Sequence, residues 1–325
     1  MFLKFFIFRL AVLTLLAVLP SVTPGQSVSP AAEYQSLLNM RFSEGKGGFL
    51  IGGLQVVFPP GGDERAMLTV NRSSGQEVFS VPLRVESYLS CPIFGHLVVE
   101  NGEPMGIELG QPGDFVLTIK VADRVITRLR FTLKVEPDDN PYDPPKKFLR
   151  EGPWRDLAYF SVPTDNSSAN VDFNWWMSLR ELPIGMTNSL VTIHLLRGSR
   201  EIARSPDRVA LNSSDWQFFT RELVQTTKKG TQYLTLGELA RNDGDYLLIV
   251  EANGKPIKSY RVKVQDGRLQ RADQSRLDFE PHVDFMSPRL IDASASSDAH
   301  YLMRDVYWVR RSAVIGTYPQ HRASK

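Results

Sequence analysis

The chain has 325 residues, 42% hydrophobic and 23% charged, which places it among globular proteins with room for two domains of ~100–200 residues. Lys and Arg number 38 against 36 Asp and Glu, and this near balance argues against nucleic acid as the main partner. A single cysteine, Cys91, excludes an intrachain disulfide framework; it reads as a small core residue, with an intermolecular bridge or reactive thiol as the alternative.

Residues 1–25 follow the pattern of a signal peptide. Lys4 and Arg9 lead into an apolar run at 10–19 that is too short to span a bilayer, and Thr23-Pro24-Gly25 sets small residues before a cut at Gln26. The pattern predicts export to a secreted or periplasmic, cell-envelope location. An uncleaved anchor is the alternative, because the aromatic run at 5–8 extends the apolar stretch backwards. No later segment is long and apolar enough to cross a membrane as a helix.

From Phe49 onward, short apolar runs are broken by Gly, Pro, Asn and Asp without helical recurrence. Strands are predicted at 54–58, 66–70, 77–85, 95–99, 115–121 and 125–135. The Pro-rich, charged run at 136–147 has too few amide donors for a ladder, so 137–155 reads as a linker. A second series of strands follows at 157–162, 171–179, 190–196, 208–211, 217–224, 246–251 and 257–264, with one helical turn between Gln232 and Arg241. Beyond Gln265 the pattern thins, and 267–325 is expected to be an irregular, partly disordered extension whose apolar patch at 301–309 docks on the second domain. The fold class is therefore all-β: two antiparallel β-sandwich domains, 45–136 and 156–266, after a signal peptide.

An internal repeat links the two series. Gly113-Asp114-Phe115 opens a strand that turns into one ending Lys134-Val135, and Gly244-Asp245-Tyr246 does the same before Lys263-Val264. Upstream, 67–85 around Ser73-Ser74-Gly75 resembles 190–210 around Arg197-Gly198-Ser199, so duplication is the economical explanation. The Gly-x-aromatic-x-Leu opening resembles the corner of immunoglobulin-like and fibronectin-like sandwiches, with Phe115 and Tyr246 as the aromatics. The resemblance implies a fold for about 45–135 and 157–265. It implies no activity, since such sandwiches host unrelated functions.

Period two over 171–179 sets Asp172, Asn174, Trp176 and Ser178 on one face, so an aromatic ring stands among polar residues. Such a ring suits stacking on a sugar or a partner's side chain; the alternative is that the other domain, the linker or the tail covers it. Arg128, Arg130 and Lys134, with Arg261 and Lys263, form basic stripes that either protect strand edges or meet an anionic glycan or lipid. Glu280, His282 and Asp284 alternate near Asp298 and His300 but lack the clustered ligands of a zinc or calcium site, so no metal or other cofactor is expected. Asn71, Asn166 and Asn212 begin N-glycosylation triplets.

No nucleophile elbow, metalloprotease helix or phosphate loop occurs, whereas a carboxylate pair drawn from distant strands would leave no local trace. The sequence thus predicts a non-enzymatic extracytoplasmic binding or scaffold protein with an unidentified protein or glycan partner. A secreted hydrolase or its accessory module, and an anchored envelope structural protein, are the alternatives.

Overall fold

The computed structural model describes residues 35–36, 41–42, 49–50, 55–58, 66–88, 91–99, 106–107, 109–121, 124–137, 146–164, 166–183, 189–212, 216–228, 230–270, 289–291 and 303–312. The signal-like segment, the Glu280–Asp284 positions, Asp298 and His300 lie outside them, as do the surroundings of the Cys91 side chain. The described chain is all-β, and every strand pairing in it is antiparallel.

In chain order, the first part forms β1 (Gln35–Ser36), β2 (Arg41–Phe42), β3 (Phe49–Leu50), β4 (Gln55–Phe58), β5 (Ala66–Arg72), β6 (Glu77–Tyr88), β7 (Cys91–Val99), β8 (Gly106–Ile107), β9 (Gly113–Val121), β10 (Arg124–Pro137) and β11 (Lys146–Glu151). One eight-stranded sheet runs β1-β4-β7-β6-β5-β9-β10-β11, and a small sheet joins β2, β3 and β8. Alternation explains its apolar face: Leu68, Val70, Phe115, Leu117, Ile119, Leu129, Phe131 and Leu133 are all buried while their neighbours are not. Phe115 and Phe131 stack across the ladder with centroids 5.5 Å apart. Part of the segment expected as a linker is a strand. Lys146–Glu151 pairs residue for residue with Thr132–Pro137, because Pro144 and Pro145 precede this segment and leave its own amides free to donate.

The second part supplies β12 (Leu157–Pro163), β13 (Asp172–Met177), β14 (Ser189–Arg197), β15 (Arg200–Arg204), β16 (Val209–Leu211), β17 (Gln217–Glu222), β18 (Val224–Thr227), β19 (Gly230–Tyr233), helix α1 (Leu236–Ala240), β20 (Gly244–Ala252), β21 (Lys255–Gln265), β22 (Arg268–Leu269), β23 (Arg289–Ile291) and β24 (Met303–Arg310). They make a five-stranded sheet, β17-β13-β12-β24-β23, and an eight-stranded one, β19-β18-β15-β14-β20-β21-β22, with β16 also on β14. The two sheets share one core. Phe160, Phe173, Trp175 and Phe219 from the first meet Ile193, Leu248, Val250 and Tyr260 from the second, and Phe173 packs edge-on against Tyr260 at 5.6 Å.

Helix α1 begins at a capping box: Thr235 accepts from the Glu238 amide while the Glu238 carboxylate accepts from the Thr235 amide. A larger departure from the sequence reading is β24. The patch expected to dock from an irregular tail is an interior strand, pairing Leu157–Pro163 with Arg304–Arg310 and β23 on its other side. Its alternation, with Val306 and Trp308 buried on one face and Val309 in the shared core, is that of a strand covered on both sides.

Candidate functional site

The structure encloses the face that sequence alternation left to solvent. Trp176 is only 6% exposed; Tyr159, at 6.0 Å, and Phe218, at 5.0 Å, flank its ring, and Trp308 from β24 packs on Tyr159 at 4.8 Å. Asn174 is buried, donating to Ser161 Oγ at 3.0 Å and accepting from Thr220 Oγ1 at 2.8 Å. Asp172 pairs with Arg304 of β24. These three residues do stand together, but as a buried polar and aromatic layer, to which β24 contributes Trp308 and Arg304.

The basic stripes lie on two separate sheets. Arg130, Lys134, Arg261 and Lys263 are exposed, Arg128 is half-buried, and Lys134 is paired with Glu151 on β11 at 2.6 Å. Since β10 has neighbours on both sides, edge protection does not explain its stripe.

The two copies of the repeat share a local geometry. Gly113 and Gly244 take φ of +149° and +150°, conformations that L side chains seldom adopt. Each is followed by a buried aromatic under an arginine from the neighbouring strand: Arg72 lies over Phe115 at 5.3 Å and Arg197 over Tyr246 at 5.8 Å. Both arginines donate to the carbonyl just before the glycine, Pro112 and Asp243 respectively. Strand order matches as well, β6-β5-β9-β10-β11 against β15-β14-β20-β21-β22.

One buried cation escaped the sequence reading. Lys258 is fully buried on β21, 2.5 Å from Glu181 and 2.9 Å from the Trp176 carbonyl, with its ammonium 4.9 Å from the Trp216 ring centroid. Arg311, just after β24, reaches the same carboxylate at 3.2 Å. Burial lowers the Lys258 pKa from 10.5 to about 8, against the opposing pull of Glu181. This cluster ties four chain segments together and has no access to solvent through the lysine.

An open site lies elsewhere, on the outer face of the eight-stranded sheet. Period two on β14 sends Val191, Ile193 and Leu195 inward and Thr192 and His194 outward. Thr192 stands opposite Glu251 of β20, and His194 opposite Arg204 of β15. The chain leaves the ladder after Ser205, whose amide still donates to the Ile193 carbonyl at 3.0 Å and whose hydroxyl accepts from the Ile193 amide at 3.1 Å; Pro206 has no amide to donate, and pairing resumes at Val209. The detour builds one wall. The β18–β19 hairpin builds the other, meeting β15 only at Arg204 and Val224. Between them is a cleft of about 500 Å³ lined by Thr192, His194, Arg204, Asp207, Thr226 and Glu251, among others.

Charge in the cleft is mixed and close-set. His194 Nδ1 is 2.7 Å from Glu201 Oε2 and its Nε2 is 3.9 Å from Glu251 Oε2, while Arg204 Nε lies 3.8 Å from Glu201. Among the described residues, no group of three or more His, Cys, Asp or Glu side chains is arranged to hold a metal ion. The arrangement can accept from and donate to a hydroxyl-rich or zwitterionic group. None of these residues was singled out from sequence, although Thr192 and His194 on the polar side of an otherwise apolar strand were the available signal.

No protein-family model, curated protein or solved structure matches the chain. No described helix is long and apolar enough to cross a membrane.

Proposed function

We propose that the protein is a non-enzymatic extracytoplasmic binding or scaffold protein, built of tandem immunoglobulin-like domains, whose second domain presents its outer sheet face to a protein or glycan. The observation that carries this reading is the cleft between the Ser205–Arg208 detour and the β18–β19 hairpin: a polar recess on a rigid sheet, with side chains of both charges facing solvent. Export is supported by the signal-like residues 1–25, and the immunoglobulin-like assignment by the duplicated glycine–aromatic corner. The test is affinity capture from an envelope extract with the wild-type chain and Glu251→Arg. A partner retained by the first and lost by the folded second supports the reading, and identical retention by both removes it. N-terminal sequencing of the chain from its host separates a cleaved signal, starting at Gln26, from a retained anchor.

A hydrolase is the second reading, favoured by one observation: a histidine held between two carboxylates in an open cleft. Turnover of a glycoside or peptide substrate that disappears in His194→Ala would establish it in place of the first.

A further inference from the structure

The cleft continues into a row of side chains that crosses the sheet. Register places His194 opposite Arg204, Arg204 opposite Val224, and Val224 opposite Tyr233, so all four side chains share the outer face. Tyr233 closes the row on β19 and is 47% exposed. Three inter-strand steps separate Tyr233 from His194, about 14 Å at the usual spacing.

We infer that this row is an oligosaccharide-binding site, with the Tyr233 ring as the stacking platform and Glu251, Thr192 and Arg204 as hydrogen-bonding partners for sugar hydroxyls. The inference deepens the binding-protein reading and rests on it. Three features select a glycan. The row ends in one exposed aromatic face, which suits the apolar face of a pyranose. The cleft beside it offers the hydroxyls of Thr192 and Thr226, the Glu251 carboxylate and the Arg204 guanidinium, groups that pair with hydroxyls in both directions. The row also runs across the strands rather than along an edge, so a ligand laid in it would meet side chains instead of the backbone ladder that an extended peptide uses. The length of the row requires several sugar units rather than one.

The test is calorimetric titration of the full chain with cellotetraose, chitotetraose and maltotetraose, backed by a panel of neutral and amino-sugar oligosaccharides. At least one is expected to bind saturably, and its monosaccharide to bind at least about tenfold more weakly. Tyr233→Ala and Glu251→Gln should each weaken binding by about tenfold or more, whereas Tyr233→Phe, which keeps the ring, should stay within about threefold. Unchanged thermal midpoints in all three variants show that they fold. Absence of binding across the panel, or binding indifferent to Tyr233→Ala, overturns the inference. If no sugar binds but Glu251→Arg abolishes capture of a protein, the glycan assignment falls and the binding reading stands with a peptide or protein partner. If capture is also unchanged, both fall.

Discussion

The guanidinium of Arg197 lies over the ring of Tyr246, 5.8 Å from its centroid, and the hydroxyl of the same tyrosine donates to the Asn242 carbonyl at 2.6 Å. The ring is thus held from above by a cation and at its tip by a hydrogen bond to the loop that precedes its strand. In the other copy Arg72 covers Phe115, which has no hydroxyl to make the second contact.

Tyr246→Phe should therefore cost about 1 kcal/mol in denaturant unfolding, the net value of one such hydrogen bond. Gly113→Ala should cost more, roughly 1–3 kcal/mol, because its φ is +149° and a Cβ there would come 2.7 Å from the Arg72 guanidinium. A Gly113→Ala protein as stable as wild type would contradict the geometry.

Trp176→Ala should behave as a core truncation, lowering stability by roughly 3–5 kcal/mol. Tyr233→Ala, on the exposed row, should stay within about 0.5 kcal/mol. Thermal melts of the two variants side by side distinguish an interior ring from a surface one.

Removing 303–325 takes away β24, leaving Tyr159 and Phe160 beside an empty ladder position and Asp172 without Arg304. The shortened chain should lose the cooperative unfolding of the two-sheet core and expose apolar surface to a hydrophobic dye. A normal melt of the shortened chain would show β24 to be dispensable.

Lys258 gives a pH signature. Its folded pKa of about 8 lies below the 10.5 of the unfolded chain, chiefly through burial, so between these values the unfolded state binds more protons and stability from this residue rises with pH. Below about 8 its contribution is constant. The groups that face it are Glu181, Arg311, Asp156 and the Trp216 ring. The stability of wild type relative to Lys258→Met should climb by up to roughly 3 kcal/mol from pH 8 to 10.5. A flat difference would mean that the lysine is solvated.

Much of the strand pattern was legible because alternation and turn residues are local signals. The expected strands at 115–121 and 125–135 fall within β9 and β10, and those at 246–251 and 257–264 within β20 and β21. Gly-Asp-aromatic marked both hairpins for the same reason. What sequence could not show was long-range cover. Trp176 does alternate with core residues, but the strand that brings Trp308 to this layer lies more than a hundred positions away. Lys258 was readable in principle: it shares its strand face with Tyr260, Val262 and Val264, all buried, and a lysine in that company needs a carboxylate. The cleft was not, because its walls come from a ladder that breaks after Ser205 and a hairpin whose strand Gly230–Tyr233 carries almost no apolar pattern.

The position of β24 also sets an order of events in biosynthesis. Leu157 finds its partner in Arg310, and every other described strand of both sheets is made before that partner exists. A nascent chain therefore carries β12 with this flank unpaired until β24 is made, and closure must bridge a large separation in sequence, a slow kind of step. During that interval the β12 edge that carries Tyr159 and Phe160 is open to pairing with other chains.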